Sequence, residues 1–198
     1  IPQDQSGHPG YEHIQQESSQ THIGWSFDSI PLSDPDYYVM RAGVGILSDG
    51  MSSRLFDRVR EQRGLCYSVS LSAHSLQSRG AILGYAGTTP ERAQETLDVA
   101  LREIETLQDG IEQAELDRLK VRVQSSVIME QESSWSRVSS LISDWYHRGR
   151  VVTMRELEER VEALRVDAIV DYWKAHPPGD YRIVTLGQQP LSVPSSSH

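Results

Sequence analysis

The stretch Asp49–Val69 constrains the fold most, because its hydrophobic period changes halfway along. Residues 53–62 have the spacing of a short helix, with one apolar face made by Leu55, Phe56 and Val59. Residues 65–73 alternate instead, and one side of the alternation holds Leu65, Tyr67, Val69, Leu71 and Ala73. This pattern predicts a helix that leads directly into a half-buried strand. Gly64 lies at the junction, where a residue that tolerates positive φ is favoured.

The remaining segments can be assigned by the same criteria. Alternating patterns predict strands over 21–30, 81–87 and 181–186, and helical spacing predicts helices over 33–47, 90–109, 112–130, 135–149, 153–164 and 166–175. Ser33 and Thr153 are predicted N-caps of two of these helices, each with an acidic residue three positions later. Because helices and strands are segregated along the chain, the order predicts an α+β fold, a two-layer structure with a mostly antiparallel sheet and helices packed on one face.

Size and charge limit the classes of function. The 198 residues suit one domain, which we place at 21–187, between a flexible lead-in at 1–20 and a disordered tail at 188–198. The formal net charge of −9 argues against a nucleic-acid partner. No apolar run approaches the ~20 residues that a membrane span needs. The single cysteine leaves the compartment open, with cytoplasmic favoured over periplasmic. The start at Ile1 suggests a piece of a longer parent.

A search for catalytic motifs finds no complete active site. The chain has no CxxC, HExxH, HxxEH or GxSxG motif and no phosphate-binding glycine loop, and His8, His13 and Glu17 fit no common zinc spacing. Arg60 and Tyr67 remain, on either side of the predicted turn, where a guanidinium and a phenol could hold carbonyl oxygens. The residues alone favour another interpretation, in which Arg60 is a solvated helix charge and Tyr67 is part of the core.

Two glycines in the predicted strand at 81–87 also attract attention. Gly84 and Gly87 suggest that another group approaches the backbone of this strand closely. A bulge or crowded packing against a helix is an equally good explanation.

The segment GMSSRLFDRVREQRGLCYSV, residues 50–69, resembles the second-domain signature of the insulinase/pitrilysin-type zinc peptidases. That family includes the mitochondrial processing peptidases and many bacterial processing proteases. The resemblance extends over Thr21–Gly187 and includes the segments QTHIGWSFDSIP, DPDYYVMRAGVGIL, TTPERAQETLDVALREIETL and EQAELDRLKVRVQSS, in family order. Ser48 and Asp49 depart from the family, which commonly has consecutive glycines before this segment.

The resemblance implies a division of labour between paired α+β domains. One domain of the family carries the zinc motif HxxEH, and its partner carries an arginine and a tyrosine spaced i, i+7 that help hold the substrate backbone. That spacing falls on Arg60 and Tyr67 here. The resemblance therefore implies a substrate-binding domain of a zinc metalloendopeptidase, with no metal ligand of its own, inactive in isolation, and with Gly84 as a further substrate contact.

The implied partners are a peptide or protein substrate and a zinc-bearing domain or subunit. A homodimer is a further expectation, because a second copy would cover the surfaces left open by a missing domain. The alternative is a non-catalytic assembly homologue, similar to the core subunits of respiratory complexes.

Overall fold

The computed structural model describes residues 10–193, without the side chains of 130–132. The five strands are β1 (Gly10–Gln15), β2 (Thr21–Ser29), β3 (Cys66–Ser75), β4 (Gly80–Thr88) and β5 (Arg182–Gly187). The six α-helices are α1 (Tyr37–Ser48), α2 (Ala93–Glu105), α3 (Gln113–Glu132), α4 (Ser134–Arg148), α5 (Met154–Glu162) and α6 (Val166–Ala175). Short helical turns cover Phe56–Glu61, Pro90–Arg92 and Thr106–Asp109. Within residues 10–193, no helix is long and apolar enough to cross a membrane.

The strands form one sheet in the order β1-β5-β2-β4-β3. β1 runs parallel to β5, and the other three pairs are antiparallel. This architecture confirms the predicted α+β fold with its mostly antiparallel sheet. Both edges of the sheet, β1 and β3, have one neighbour each among the strands described.

The core lies between one face of the sheet and the helices. The inner face of β2 contributes Ile23, Trp25 and Phe27, all at most 3% exposed. The helices supply the opposing layer with Val44, Leu47, Leu97, Ile104, Leu116, Ile169 and Trp173. Full burial of one such side chain stabilises the fold by roughly 1.5–3 kcal/mol relative to an exposed position. The other face of the sheet is open, so alternate strand residues meet solvent.

The chain ends differ from expectation. Residues 10–15, predicted to lie in a flexible lead-in, form β1, because their backbone pairs with β5 and Tyr11 reaches the core. The segment 188–193, predicted to belong to a disordered tail, is hydrogen bonded: Leu191 N donates to the Tyr11 hydroxyl at 2.6 Å, and Ser192 exchanges two bonds with Gln94. Residues 1–9 and 194–198 lie outside the described part of the chain.

The two predicted N-caps have opposite outcomes. Thr153 caps α5, since its hydroxyl accepts a hydrogen bond from Glu156 N at 3.2 Å. Ser33 does not cap α1, which begins at Tyr37 after a turn in which Pro31 O accepts a hydrogen bond from Asp34 N. The proline and the turn delay the helix by about one turn.

Candidate functional site

The predicted helix at 53–62 is irregular. Phe56–Glu61 forms a π-helical turn in which Gln62 N donates to Asp57 O, five residues earlier, at 2.8 Å. Such turns contain one residue more than an α-helix would and are rare in proteins. Val59 is fully buried within it and anchors the turn to the core. Gly64 then adopts a φ of +59°, as predicted for the junction.

The junction is tied to the start of α2. Leu65 O accepts hydrogen bonds from the Thr88 hydroxyl at 2.5 Å and the Thr96 hydroxyl at 3.2 Å. The Arg92 guanidinium donates to Gly64 O. Because three side chains hold two consecutive carbonyls, the backbone on which Arg60 and Tyr67 are mounted has a defined course.

A β-bulge follows immediately. Cys66 pairs with Thr88 and Ser68 pairs with Gly87, so Tyr67 is an extra residue without a partner on β4. Beyond the bulge the alternation is regular again. The bulge makes the predicted placement of Tyr67 on the same face as Leu65 wrong: Cys66 is the buried residue, and Tyr67 is 59% exposed. The structure therefore contradicts the interpretation of Tyr67 as a core residue.

Arg60 is also accessible. Its side chain is 44% exposed and lies 3.8 Å from the Glu61 carboxylate. Its guanidinium carbon sits 4.7 Å from the centre of the Phe56 ring, in a cation–π contact that orients it. Burial raises the pKa of the Cys66 thiol, and the positive charge of Arg60 partly opposes this rise. Arg60 therefore acts electrostatically on the residue directly before Tyr67.

The neighbouring arginines have other roles. Arg58 donates to the Glu103 carboxylate at 2.6 Å, and Arg63 lies 3.7 Å from Glu95. Arg54 differs from both, because it is buried. Its side chain is 7% exposed and donates two hydrogen bonds to Glu115, at 2.7 and 2.8 Å.

The open face of the sheet carries a polar pair that sequence reasoning missed. His22 Nδ1 lies 2.7 Å from the Tyr85 hydroxyl, and the two rings stack with centroids 6.0 Å apart. A Cβ on Gly87 would lie 3.0 Å from that hydroxyl and 3.3 Å from Ser68 Oγ, so the phenol lies along the sheet toward the bulge. The alternation that predicts β2 and β4 could have placed His22 and Tyr85 on the same face. It could not have made them diagonal neighbours, with His22 paired to Gly87 and Tyr85 to Gly24, because register requires the fold.

Gly84 faces the other way. It lies on the inner face of β4, paired with Trp25, and a Cβ there would lie 1.9 Å from Trp25 Cε2. Of the two explanations that the sequence left open, the structure supports crowded packing, with an indole from the neighbouring strand rather than a helix. Gly84 is therefore separate from Arg60 and Tyr67, which project from the exposed junction.

The side chains present do not fit a zinc site. Within the described residues, no group of three or more His, Cys, Asp or Glu side chains is arranged to hold a metal. His13 Nδ1 is engaged with the Thr185 hydroxyl at 2.9 Å, and its buried Nε2 lacks a partner. His8 lies outside the described residues, and Glu17 is exposed beyond the end of β1. One unpartnered imidazole nitrogen is not a metal centre.

Comparison with known proteins defines the class. Residues 1–122 match the family described as Peptidase M16 inactive domain, and this match covers more than half of the chain. The chain belongs to this family. It is 30% identical over 159 residues to an uncharacterized zinc protease of Mycobacterium tuberculosis, covering 78% of this chain and 36% of that protein. It is 29% identical over 162 residues to the mitochondrial-processing peptidase subunit alpha of Neurospora crassa, covering 74% of this chain and 28% of that subunit.

Solved structures agree with the fold. The crystal structure of a peptidase M16 inactive domain from Pseudomonas fluorescens superimposes with a TM-score of 0.77 at 27% identity, over 93% of this chain and 45% of that one. A protease from Helicobacter pylori has a TM-score of 0.79 at 21% identity, over 91% of this chain and 44% of that one, which shows the fold alone. The chain thus spans less than half the length of these relatives.

Proposed function

We propose that this domain holds a peptide or protein substrate for a zinc metalloendopeptidase whose metal is bound by another domain or subunit. The observation that carries the proposal is the bulge at Tyr67, which turns a phenol outward, seven residues after an accessible arginine, Arg60. Bulges are frequent next to active sites, where they redirect a side chain. The zinc protease and processing-peptidase names of the relatives support the same class of reaction.

The two side chains suit peptide carbonyls. Arg60 presents a planar, positively charged set of N–H donors, while Tyr67 adds one O–H donor. A substrate held between them would keep a carbonyl oxygen in a fixed place, and developing negative charge on that oxygen would strengthen both contacts. Arg54 and Arg58 cannot take this role as they stand, since each is bound to a carboxylate.

The direct test is the binding of an unstructured peptide to the domain. We expect titration with carboxymethylated casein fragments to shift NMR signals of Arg60 Nε–H and of the backbone at 64–68. Tyr67→Phe removes only a hydroxyl from an exposed ring, so it should weaken these shifts and leave the melting temperature unchanged. Arg63→Gln is the matched control, because Arg63 is similarly exposed, at 49%, and lies three residues from Arg60.

A kinetic test applies to the assembly with a zinc-bearing partner. There Tyr67→Phe and Arg60→Gln should each lower kcat by about a hundredfold to a thousandfold, the range for loss of one oxyanion donor. Unchanged peptidase kinetics in both variants would reject the proposal and favour the alternative, a non-catalytic assembly homologue.

A further inference from the structure

Helix α4 is oriented with its apolar side outward. Five apolar residues form one stripe that spans an arc of about 120° at 3.6 residues per turn: Trp135, Val138, Leu141, Ile142 and Trp145. Their exposed fractions run from 46% to 79%, and α4 has no buried residue. In a surface helix the apolar stripe normally faces the core.

The polar side of α4 faces the rest of the domain instead. Asp144 accepts a hydrogen bond from Val152 N at 2.9 Å, and Arg148 donates to the Tyr38 hydroxyl at 3.0 Å. The helix is well delimited at both ends, since the Ser133 hydroxyl accepts from Ser136 N and Gly149 closes the helix with a φ of +67°. The outward stripe therefore belongs to a formed helix with a fixed rotation.

The spacing of the stripe indicates what covers it. Residues 135, 138, 142 and 145 follow one another at intervals of three, four and three, which is the a-d-a-d spacing of a two-heptad coiled-coil seam. These four positions are also symmetric about position 140, whereas the fifth stripe residue, Leu141, has Ser139 at its mirror position. Trp135 and Trp145 lie five residues to either side, and Val138 and Ile142 lie two residues to either side.

A surface that is symmetric along its own axis matches itself when it is turned by a half rotation. That is the requirement for a twofold interface, in which residue i contacts residue j of the second copy and j contacts i. We propose that two copies of this chain associate through α4, with the helices antiparallel. Trp135 then packs against Trp145 of the second copy, and Val138 packs against Ile142 of the second copy.

The available area fits this occupant. With ~250 Å² for a fully exposed tryptophan, the stripe offers apolar area on the order of 600 Å² in each copy. A standard interface buries about 800 Å² on each side, and its rim is polar. Tyr146, 58% exposed, and the exposed serines of α4 border the stripe and could supply that rim. The inference is independent of the proposed peptide-binding role, because it uses none of the residues of the junction.

Sedimentation equilibrium on the chain tests the proposal. We expect a concentration-dependent dimer. Trp135→Glu and Trp145→Lys should each yield monomers, because loss of one tryptophan anchor weakens an interface roughly 30-fold and each change occurs twice in the dimer. The expected loss is therefore on the order of 1000-fold. Both positions are exposed, so the circular dichroism spectrum and melting temperature of the monomer should be unchanged.

Mixing the two variants tests the register. In an antiparallel pair, the carboxylate introduced by Trp135→Glu in one copy would meet the ammonium introduced by Trp145→Lys in the other. The two remaining tryptophans would meet each other, so a one-to-one mixture should regain the dimer. Leu83→Glu is the control, because Leu83 is 43% exposed on the open sheet face and should leave association unchanged. A monomeric parent chain, a dimer that survives both tryptophan variants, or a mixture that stays monomeric would each overturn the proposal.

Discussion

The ion pair between Arg54 and Glu115 makes the sharpest prediction about stability. It joins the segment before the π-helical turn to the first turn of α3. Arg54 makes three hydrogen bonds, two to the carboxylate and one of 2.7 Å to Gly110 O. The side chains of Arg54 and Glu115 are 7% and 12% exposed. Water therefore cannot replace the contacts that either partner would lose.

Replacement of Arg54 by methionine would leave Glu115 buried with a single donor, the Glu112 N–H at 2.9 Å. Breaking one side of a buried ion pair costs about 3–5 kcal/mol. Arg155 and Glu159 form the matched control, since they make a 2.8 Å pair at 87% and 62% exposure. Loss of an exposed pair of this kind costs at most about 1 kcal/mol. Urea unfolding at pH 7 should therefore separate Arg54→Met from Arg155→Met by at least about 2 kcal/mol.

The direction in which the unfolding free energy changes with pH follows from the pKa of Glu115. Burial raises the pKa of Glu115, but hydrogen bonds from Arg54 and from Glu112 N–H outweigh it, so the net pKa is lowered on folding. The pair therefore stabilises the fold above the unfolded pKa of about 4.3, and this contribution is lost as the pH falls through the lower folded pKa. In Arg54→Met, burial raises the pKa of Glu115 without the main opposing hydrogen bond. Acidification from pH 7 to pH 5 should therefore reduce the difference in unfolding free energy between Arg54→Met and the parent chain. A difference in unfolding free energy below about 1 kcal/mol between Arg54→Met and the parent chain at pH 7 would refute the reasoning.

Two further changes test packing and charge. Gly84→Ala should destabilise the fold by about 1–3 kcal/mol through overpacking against Trp25, whereas Gly10→Ala, with no atom within 4 Å of the new Cβ, should change the melting temperature little. Hydrogen bonds from Arg150 and Arg160 lower the pKa of Glu156 to about 2. In Arg150→Ala, the titration midpoint of the Glu156 carboxyl, followed by NMR, should therefore rise toward 4.5. An unchanged midpoint would contradict this assignment.

Periodicity predicted most of the fold because the strands and helices are amphipathic in the ordinary sense. It failed where one residue is added to a regular element. The π-helical turn at 56–61 and the bulge at Tyr67 leave no trace in a count of apolar positions, because the pattern beyond them resumes with its usual period. The interpretation of Tyr67 as a core residue failed for this reason.

Pairing between distant segments was the second feature that the sequence could not predict. The short strand β1 has a polar sequence, and only its partner β5, more than 160 residues later, makes it a strand. The burial of Arg54 depends in the same way on Glu115 in α3, and the stacking of His22 on Tyr85 depends on strand register. The pair Arg60 and Tyr67 was singled out by its i, i+7 spacing together with the family resemblance, and its role stays a prediction.

The extra residue of the π-helical turn and the extra residue of the bulge lie on either side of Gly64. Together they determine what a deletion in this segment would do. Deleting Glu61 from the turn Phe56–Glu61 would restore a regular α-helical turn and rotate the preceding side chains, including Arg60, by about 100° relative to the strand. Deleting Tyr67 would restore a continuous ladder between β3 and β4. Either deletion makes the local backbone more regular and displaces or removes one member of the pair. A search for stabilising deletions should therefore find them here, with loss of the proposed peptide binding as the accompanying change.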